Sequence, residues 1–180
     1  PAEPAVSFPT SLPFKLLESA RRGELQKVIK WLREGGLIDA LCCTSTRGRW
    51  RSTATLLHAA SGYGQLEMVR ELLKRGASVD LPAGLGSTAL MKAATKGHLS
   101  ILLLLLQHSA DPDLQDIDGR TALMHAAARG QEACVQAMLQ AKANTKLLDN
   151  KGNTALHLAA RNQGRNQGCT ATAQLIRQHA

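Results

Sequence analysis

Thr121-Ala-Leu-Met-His-Ala-Ala-Ala-Arg-Gly130 sets the register for the whole chain. Thirty-three residues earlier stands Thr88-Ala-Leu-Met-Lys-Ala-Ala-Thr-Lys-Gly97, and one further step back gives Thr55-Leu-Leu-His-Ala-Ala-Ser-Gly-Tyr-Gly64. One step forward gives Thr154-Ala-Leu-His-Leu-Ala-Ala160. A threonine recurring at 55, 88, 121 and 154 without slippage is an internal repeat, and a fixed period of this size points to a stacked array. The middle units each read as a helix, a tight turn at Gly64, Gly97 or Gly130, a second helix and a polar connection. The second helices carry Met68-Val69 with Leu72-Leu73, Ile101-Leu102 with Leu105-Leu106, and Cys134-Val135 with Met138-Leu139. Such a stripe cannot be buried by one unit alone, so neighbours must stack. Ala59-Ala60, Ala93-Ala94, Ala126-Ala127 and Ala159-Ala160 are read as the small residues that let first helices approach closely.

The repeated block resembles the ankyrin-repeat signature Thr-Pro-Leu-His-x-Ala-Ala-x-x-Gly, over roughly residues 14 to 180. The resemblance implies an all-α solenoid of stacked helix-turn-helix units with short β-hairpin fingers. On this reading residues 1–13, which hold Pro1, Pro4, Pro9 and Pro13, form an arm. That arm is either disordered or pinned by Phe8 and Phe14. The repeats then run 14–53, 54–86, 87–119, 120–152 and 153–180. The first is degenerate, as a terminal unit with one face in solvent should be. Its Arg21, Arg22, Lys27, Lys30 and Arg33 read as a solvated cap face.

Two irregularities break the period. Between the helix-ending glycine and the next threonine the spacing is 24 residues from Gly64 to Thr88, but 32 from Gly23 to Thr55, so eight residues are inserted. They lengthen the first finger, within Ala40 to Thr53, and bring Arg47, Arg49, Trp50 and Arg51 onto it. An aromatic flanked by arginines is the composition of an interface anchor; alternatively Trp50 folds back over the edge of the first unit. In the last unit, Arg161-Asn-Gln-Gly164 is followed at once by Arg165-Asn-Gln-Gly168, a duplication of about one helical turn. Asp116-Ile-Asp-Gly119 and Asp149-Asn-Lys-Gly152 carry hairpin-turn chemistry. Leu81 to Gly86 lacks the aspartate, so that finger should differ in shape.

Composition bounds the function. The chain has 180 residues, enough for one domain with a core, and a net charge of +8, which favours an acidic partner surface. The only aromatics are Phe8, Phe14, Trp31, Trp50 and Tyr63, so the core is aliphatic. Cys42, Cys43, Cys134 and Cys169 form no CxxC pair, which argues against zinc; Cys134 reads as a small buried apolar residue, and a reducing compartment fits best. The apolar run from Leu99 to Leu106 is too short to span a bilayer. Cytoplasm or nucleus is the expected location, and the chain reads as a monomeric domain of a longer protein.

Catalysis finds no support in the sequence. His58 and His157 share one place in the repeat, three periods apart, and the resemblance gives that imidazole a hydrogen-bonding role within the stack. Met91 and Met124 replace it in the middle units. No Ser/Cys-His-acid pattern and no phosphate-binding loop is recognisable, so no enzyme activity, cofactor or metal is expected.

The resemblance further implies a partner bound by the finger tips and the exposed side of the first helices. Carried over residue by residue, the finger candidates are Arg51, Ser52, Leu85, Ser87, Ile117, Arg120, Asn150, Lys151 and Asn153; Arg49 and Trp50 join them from the lengthened first finger. The first-helix candidates are Tyr63, Lys92, Lys96, His125, Arg129 and Arg161. Tyr63, Lys96, Arg129 and Asn162 hold one place in successive units, which stacking would set in a line. The expected function is therefore a non-catalytic module binding a peptide or domain of another protein, acidic with apolar anchors, as adaptor, scaffold or substrate recruiter. The alternatives are a basic surface for nucleic acid or anionic lipid, ranked lower because stacking aromatics are few, and a regulatory domain tethered to an enzyme.

Overall fold

A computed structural model describes residues 11–46, 50–161 and 168–179, with 43–46 and 50–52 described as backbone. Among the described residues ten helices form five antiparallel pairs: α1 (Phe14–Arg21) with α2 (Leu25–Arg33), α3 (Leu56–Gly62) with α4 (Leu66–Lys74), α5 (Ala89–Lys96) with α6 (Leu99–Gln107), α7 (Ala122–Arg129) with α8 (Glu132–Gln140), and α9 (Ala155–Arg161) with α10 (Gly168–His179). The odd-numbered helices pack in chain order as one layer, and α4, α6, α8 and α10 form the second. Strands β1 (Cys42–Thr46) and β2 (Trp50–Ala54) pair antiparallel, Cys42 opposite Ala54 and Thr46 opposite Trp50. The eight-residue insertion thus makes the first finger a hairpin; its tip, including Arg47 and Arg49, falls outside the described residues.

Each first helix starts on the repeated threonine. The hydroxyls of Thr55, Thr88 and Thr121 accept the backbone N–H three residues on, at 3.3, 3.4 and 3.3 Å, satisfying a donor that the first turn leaves without a helical partner. Thr154 does the same for His157 at 3.4 Å. The turns between helices need a left-handed residue, and Gly64, Gly97 and Gly130 take φ of +77°, +78° and +68°. At Gly130 a Cβ would also meet the backbone nitrogen of Cys169 at 2.8 Å, so the glycine serves close approach of α10 as well.

The core is aliphatic. Val69, Leu102, Leu105, Val135 and Met138 on the second helices are fully buried or nearly so, and truncating one to alanine should cost about 2–5 kcal/mol. Cys134 is buried and its thiol is pushed up to about 11 by desolvation, as a small core residue. Cys42 and Cys169 are buried too.

Polar stitches repeat with the stack. The Asp39 carboxylate accepts the Ser78 N–H at 3.0 Å, Asp80 accepts that of Asp111 at 3.2 Å, and Asp113 accepts that of Asn144 at 2.8 Å. Each joins one connection to the next. At the finger tips Ile117 donates its N–H to Leu85 O at 3.1 Å and Asn150 donates to Asp118 O at 2.9 Å.

Two expectations change. The small pair of the second unit is Ala60-Ser61, not Ala59-Ala60, because 60 and 61 are one period before Ala93 and Ala94. Ser61 is fully buried and its hydroxyl has no hydrogen-bond partner among the described residues. In the last unit Ala160 is exposed, since no unit follows to cover it in this structure. Most of the N-terminal arm, with Phe8, lies outside the described residues; Phe14 is 54% exposed, and Leu12 is buried with its N–H donating to Leu41 O at 3.2 Å. The finger at Ala83 to Ser87 does differ, closing through a two-way backbone bridge between those residues. The duplicated Arg-Asn-Gln-Gly segment falls largely at 162–167, outside the described residues, and Asn162 with it.

Candidate functional site: a basic concave groove

A groove of about 440 Å³ runs along the exposed side of the first helices, between them and the fingers. Its lining begins with Arg21 of α1 and Tyr63 after α3, continues with Lys92 and Lys96 of α5, and ends with His125 and Arg129 of α7; Arg120 enters from the finger side. No carboxylate belongs to that lining. Helical spacing explains the arrangement. Lys92 and Lys96 are four apart, as are His125 and Arg129, and residues four apart share a helix face.

The cations differ in their surroundings. Arg21 donates to the Glu18 carboxylate and lies over the Tyr63 ring, 5.3 Å from its centroid, within cation–π range. Gln65 fixes the same turn by donating to Arg21 O at 2.8 Å. Arg120 reaches Asp149 at 3.7 Å. Burial alone would raise the Asp149 carboxyl, but it accepts from the Asn153 backbone and side chain and the Lys151 backbone, and Arg120 is near, so its pKa lies below the usual value. His125 Nε2 is 2.8 Å from Asp116 Oδ2. Lys92 and Lys96 are exposed and form no ion pair with a described residue. Partial burial lowers the Lys92 pKa; Asp116 opposes this and Lys96 adds to it.

Behind the groove lies His58. Its Nδ1 is 2.7 Å from Thr55 Oγ1 and its Nε2 is 2.9 Å from Ser87 O. A carbonyl only accepts, so Nε2 carries the proton and Nδ1 accepts from the threonine hydroxyl. Desolvation lowers its pKa to about 4, against the opposing pull of the Ser87 hydrogen bond. In the third unit Met91 sulfur accepts the Thr88 N–H at 3.4 Å, so thioether replaces imidazole while the local turn persists.

Of the residues singled out from sequence, the groove brings together Tyr63, Lys92, Lys96, Arg120, His125 and Arg129. Leu85 and Ile117 are exposed on the finger row, at 55% and 59%. Asn150 is exposed but also a stitch, its side-chain amide donating to Ile117 O at 2.8 Å. Lys151 and Arg161 are exposed and are not part of the groove lining. Trp50 and Arg51 open β2, and Arg49 is outside the described residues. The residue missed was Arg21, read as part of a solvated cap. The signal was available: Arg21-Arg22 precede Gly23 as Gly62-Tyr63 precede Gly64, so the first unit also presents side chains to the concave side.

Among the described residues no three His, Cys, Asp or Glu side chains gather as metal ligands, and no helix is long and apolar enough to cross a membrane. A search of curated proteins returned no match. The family model for ankyrin repeats (3 copies) matches residues 16–116 and 104–178. With the threonine-capped helix pairs and glycine turns already described, that match over most of the sequence means that the chain belongs to the ankyrin-repeat family.

Proposed function

We propose that the chain is a non-catalytic interaction module whose concave groove binds an acidic segment or domain of another protein. Ankyrin repeats are generally protein–protein interaction modules and typically non-catalytic. The observation that carries the finer reading is the charge of the groove: Arg21, Lys92, Lys96, Arg120 and Arg129 line it with no acidic side chain among the lining residues. A concave surface of one sign concentrates and orients partners of the other. Leu85 and Ile117, exposed on adjacent finger tips, supply apolar contact beside it. Among the described residues of the lining Tyr63 is the only Phe, Tyr or Trp, and it already faces Arg21. The whole sequence carries only five such rings, few stacking platforms for single-stranded nucleic acid.

The test is capture of proteins from cell extract at moderate salt by the wild-type chain and by Lys96→Glu/Arg129→Glu, with bound species identified by mass spectrometry. The double variant should lose a defined set of acidic proteins while keeping its melting temperature. Retention of the same set by both forms would remove the concave groove from consideration.

A further inference from the structure

The cations of the groove lie in a grid. Tyr63, Lys96 and Arg129 are separated by one 33-residue period and stand at the C-terminal ends of α3, α5 and α7, helices that pack side by side. Packed neighbouring helices lie about 8–10 Å apart, so these positions form a line that crosses the helices, one step per repeat. One turn back on each helix, Ala59, Lys92 and His125 form a second line.

The grid is unevenly compensated. Arg21, at the Tyr63 end, is paired with Glu18, and His125, at the other, with Asp116. At the centre Lys92 and Lys96 share one face of α5 without an ion pair among the described residues. Like charges at this spacing repel on a helix. The middle of the groove is therefore where an added anion gains most, and the flanking positions offer further cationic contact one repeat step away on each side.

We propose, resting on the concave-face reading above, that the occupant is an extended acidic protein segment crossing the repeats, with carboxylates at every third residue. The central carboxylate lies between Lys92 and Lys96, one neighbour faces Arg129 and the other faces Arg21 over Tyr63. An extended chain in the polyproline II conformation turns once every three residues and advances about 3.1 Å per residue, so every third side chain faces the same side and three residues match one step between first helices. A partner carrying single acidic residues at other spacings gains only the central contact.

The test is fluorescence anisotropy with labelled synthetic ten-residue peptides in about 0.15 M salt, where longer-range attraction is screened. One peptide carries three glutamates at every third position with Gly and Ser between them. A second has the same composition with the glutamates contiguous, and a third is a glutamate-bearing helical peptide with acidic residues seven apart. A labelled single-stranded oligonucleotide is the fourth probe. The every-third peptide should bind at least tenfold more tightly than its contiguous isomer and than the helical peptide. Lys92→Gln and Lys96→Gln, each checked for an unchanged melting curve, should each weaken it several-fold. Equal affinity for the two isomers would overturn the spacing while leaving the basic groove standing, as would preference for the helical peptide. No binding of any acidic peptide would overturn the groove as well, and tighter binding of the oligonucleotide would replace a protein segment with nucleic acid.

Discussion

His58 and His157 hold the same place in the repeat, three periods apart, yet they inhabit different chemistry. Both make the local contact: Nδ1 lies 2.7 Å from Thr55 Oγ1 in one and 2.9 Å from Thr154 Oγ1 in the other. Beyond that they diverge. His58 is 4% exposed and donates to Ser87 O, supplied by the next unit. His157 is exposed, on the last unit of the described stack. The Thr-x-x-His pattern therefore dictates a capped turn wherever it occurs, while the following unit decides whether the imidazole is a buried strut or a surface group.

Breaking the strut gives the largest effect. His58→Ala removes two buried hydrogen bonds, leaves Ser87 O with the Ala83 N–H alone and opens a cavity, at an expected cost of about 2–4 kcal/mol. His157→Ala should change stability by less than about 0.5 kcal/mol. Urea titration of both variants checks the pair; equal losses would mean that the stacking distinction is wrong.

Acid should separate the two sites without mutation. His58 has a folded pKa of about 4, below its ordinary 6.5, so the unfolded chain binds the extra proton between those values. Its contribution is fully present above pH 6.5 and is lost as pH falls toward 4, by about 3 kcal/mol. His58→Met, the residue already used at 91 and 124, should flatten that part of the stability curve. The measurement is the difference between wild type and variant across pH 4 to 7, because Asp149, with its lowered pKa, weakens the fold only at more acid pH.

A smaller effect sharpens the same contrast on the next turn of the helix. Ser61 is buried with an unpartnered hydroxyl where the neighbouring units place Ala94 and Ala127. Ser61→Ala should raise stability by about 1 kcal/mol. Ala94→Ser should lower it by a similar amount, whereas Ala160→Ser, on the exposed last unit, should be neutral; thermal melts of the three decide it. The smallest effect concerns the stitches. Burial raises the Asp80 carboxyl pKa, against the Asp111 N–H it accepts, and the Asp111 charge adds to the rise. Asp80→Asn keeps an acceptor and removes the repulsion, so stability near neutral pH should hold or improve by less than about 0.5 kcal/mol. A clear loss would show that the charge itself is needed.

Much of the fold could be read from sequence because it is written within single turns. The threonines at 55, 88, 121 and 154, the glycines three residues past Ser61, Ala94 and Ala127, and the apolar doublets of the second helices each report on their own few residues of backbone. The candidate groove was partly legible for the same reason: Lys92 with Lys96 and His125 with Arg129 share a face by helical spacing alone. The concave side of Arg21 follows from its place before Gly23, but its position over Tyr63 does not, because that contact joins side chains 42 residues apart across two degenerate sequences.

Taken alone, the sequence determined the period, the caps, the turns and the apolar stripe, since these follow from backbone sterics and local hydrogen bonding. Tertiary structure decided which residues of each type face a neighbour. It buried His58 and left His157 exposed, and it stranded the Ser61 hydroxyl. It paired Arg120 with Asp149 and His125 with Asp116, and left Lys92 and Lys96 without an ion pair among the described residues. Burial and charge compensation depend on what the adjacent unit places within a few ångströms, and no local pattern encodes that distance.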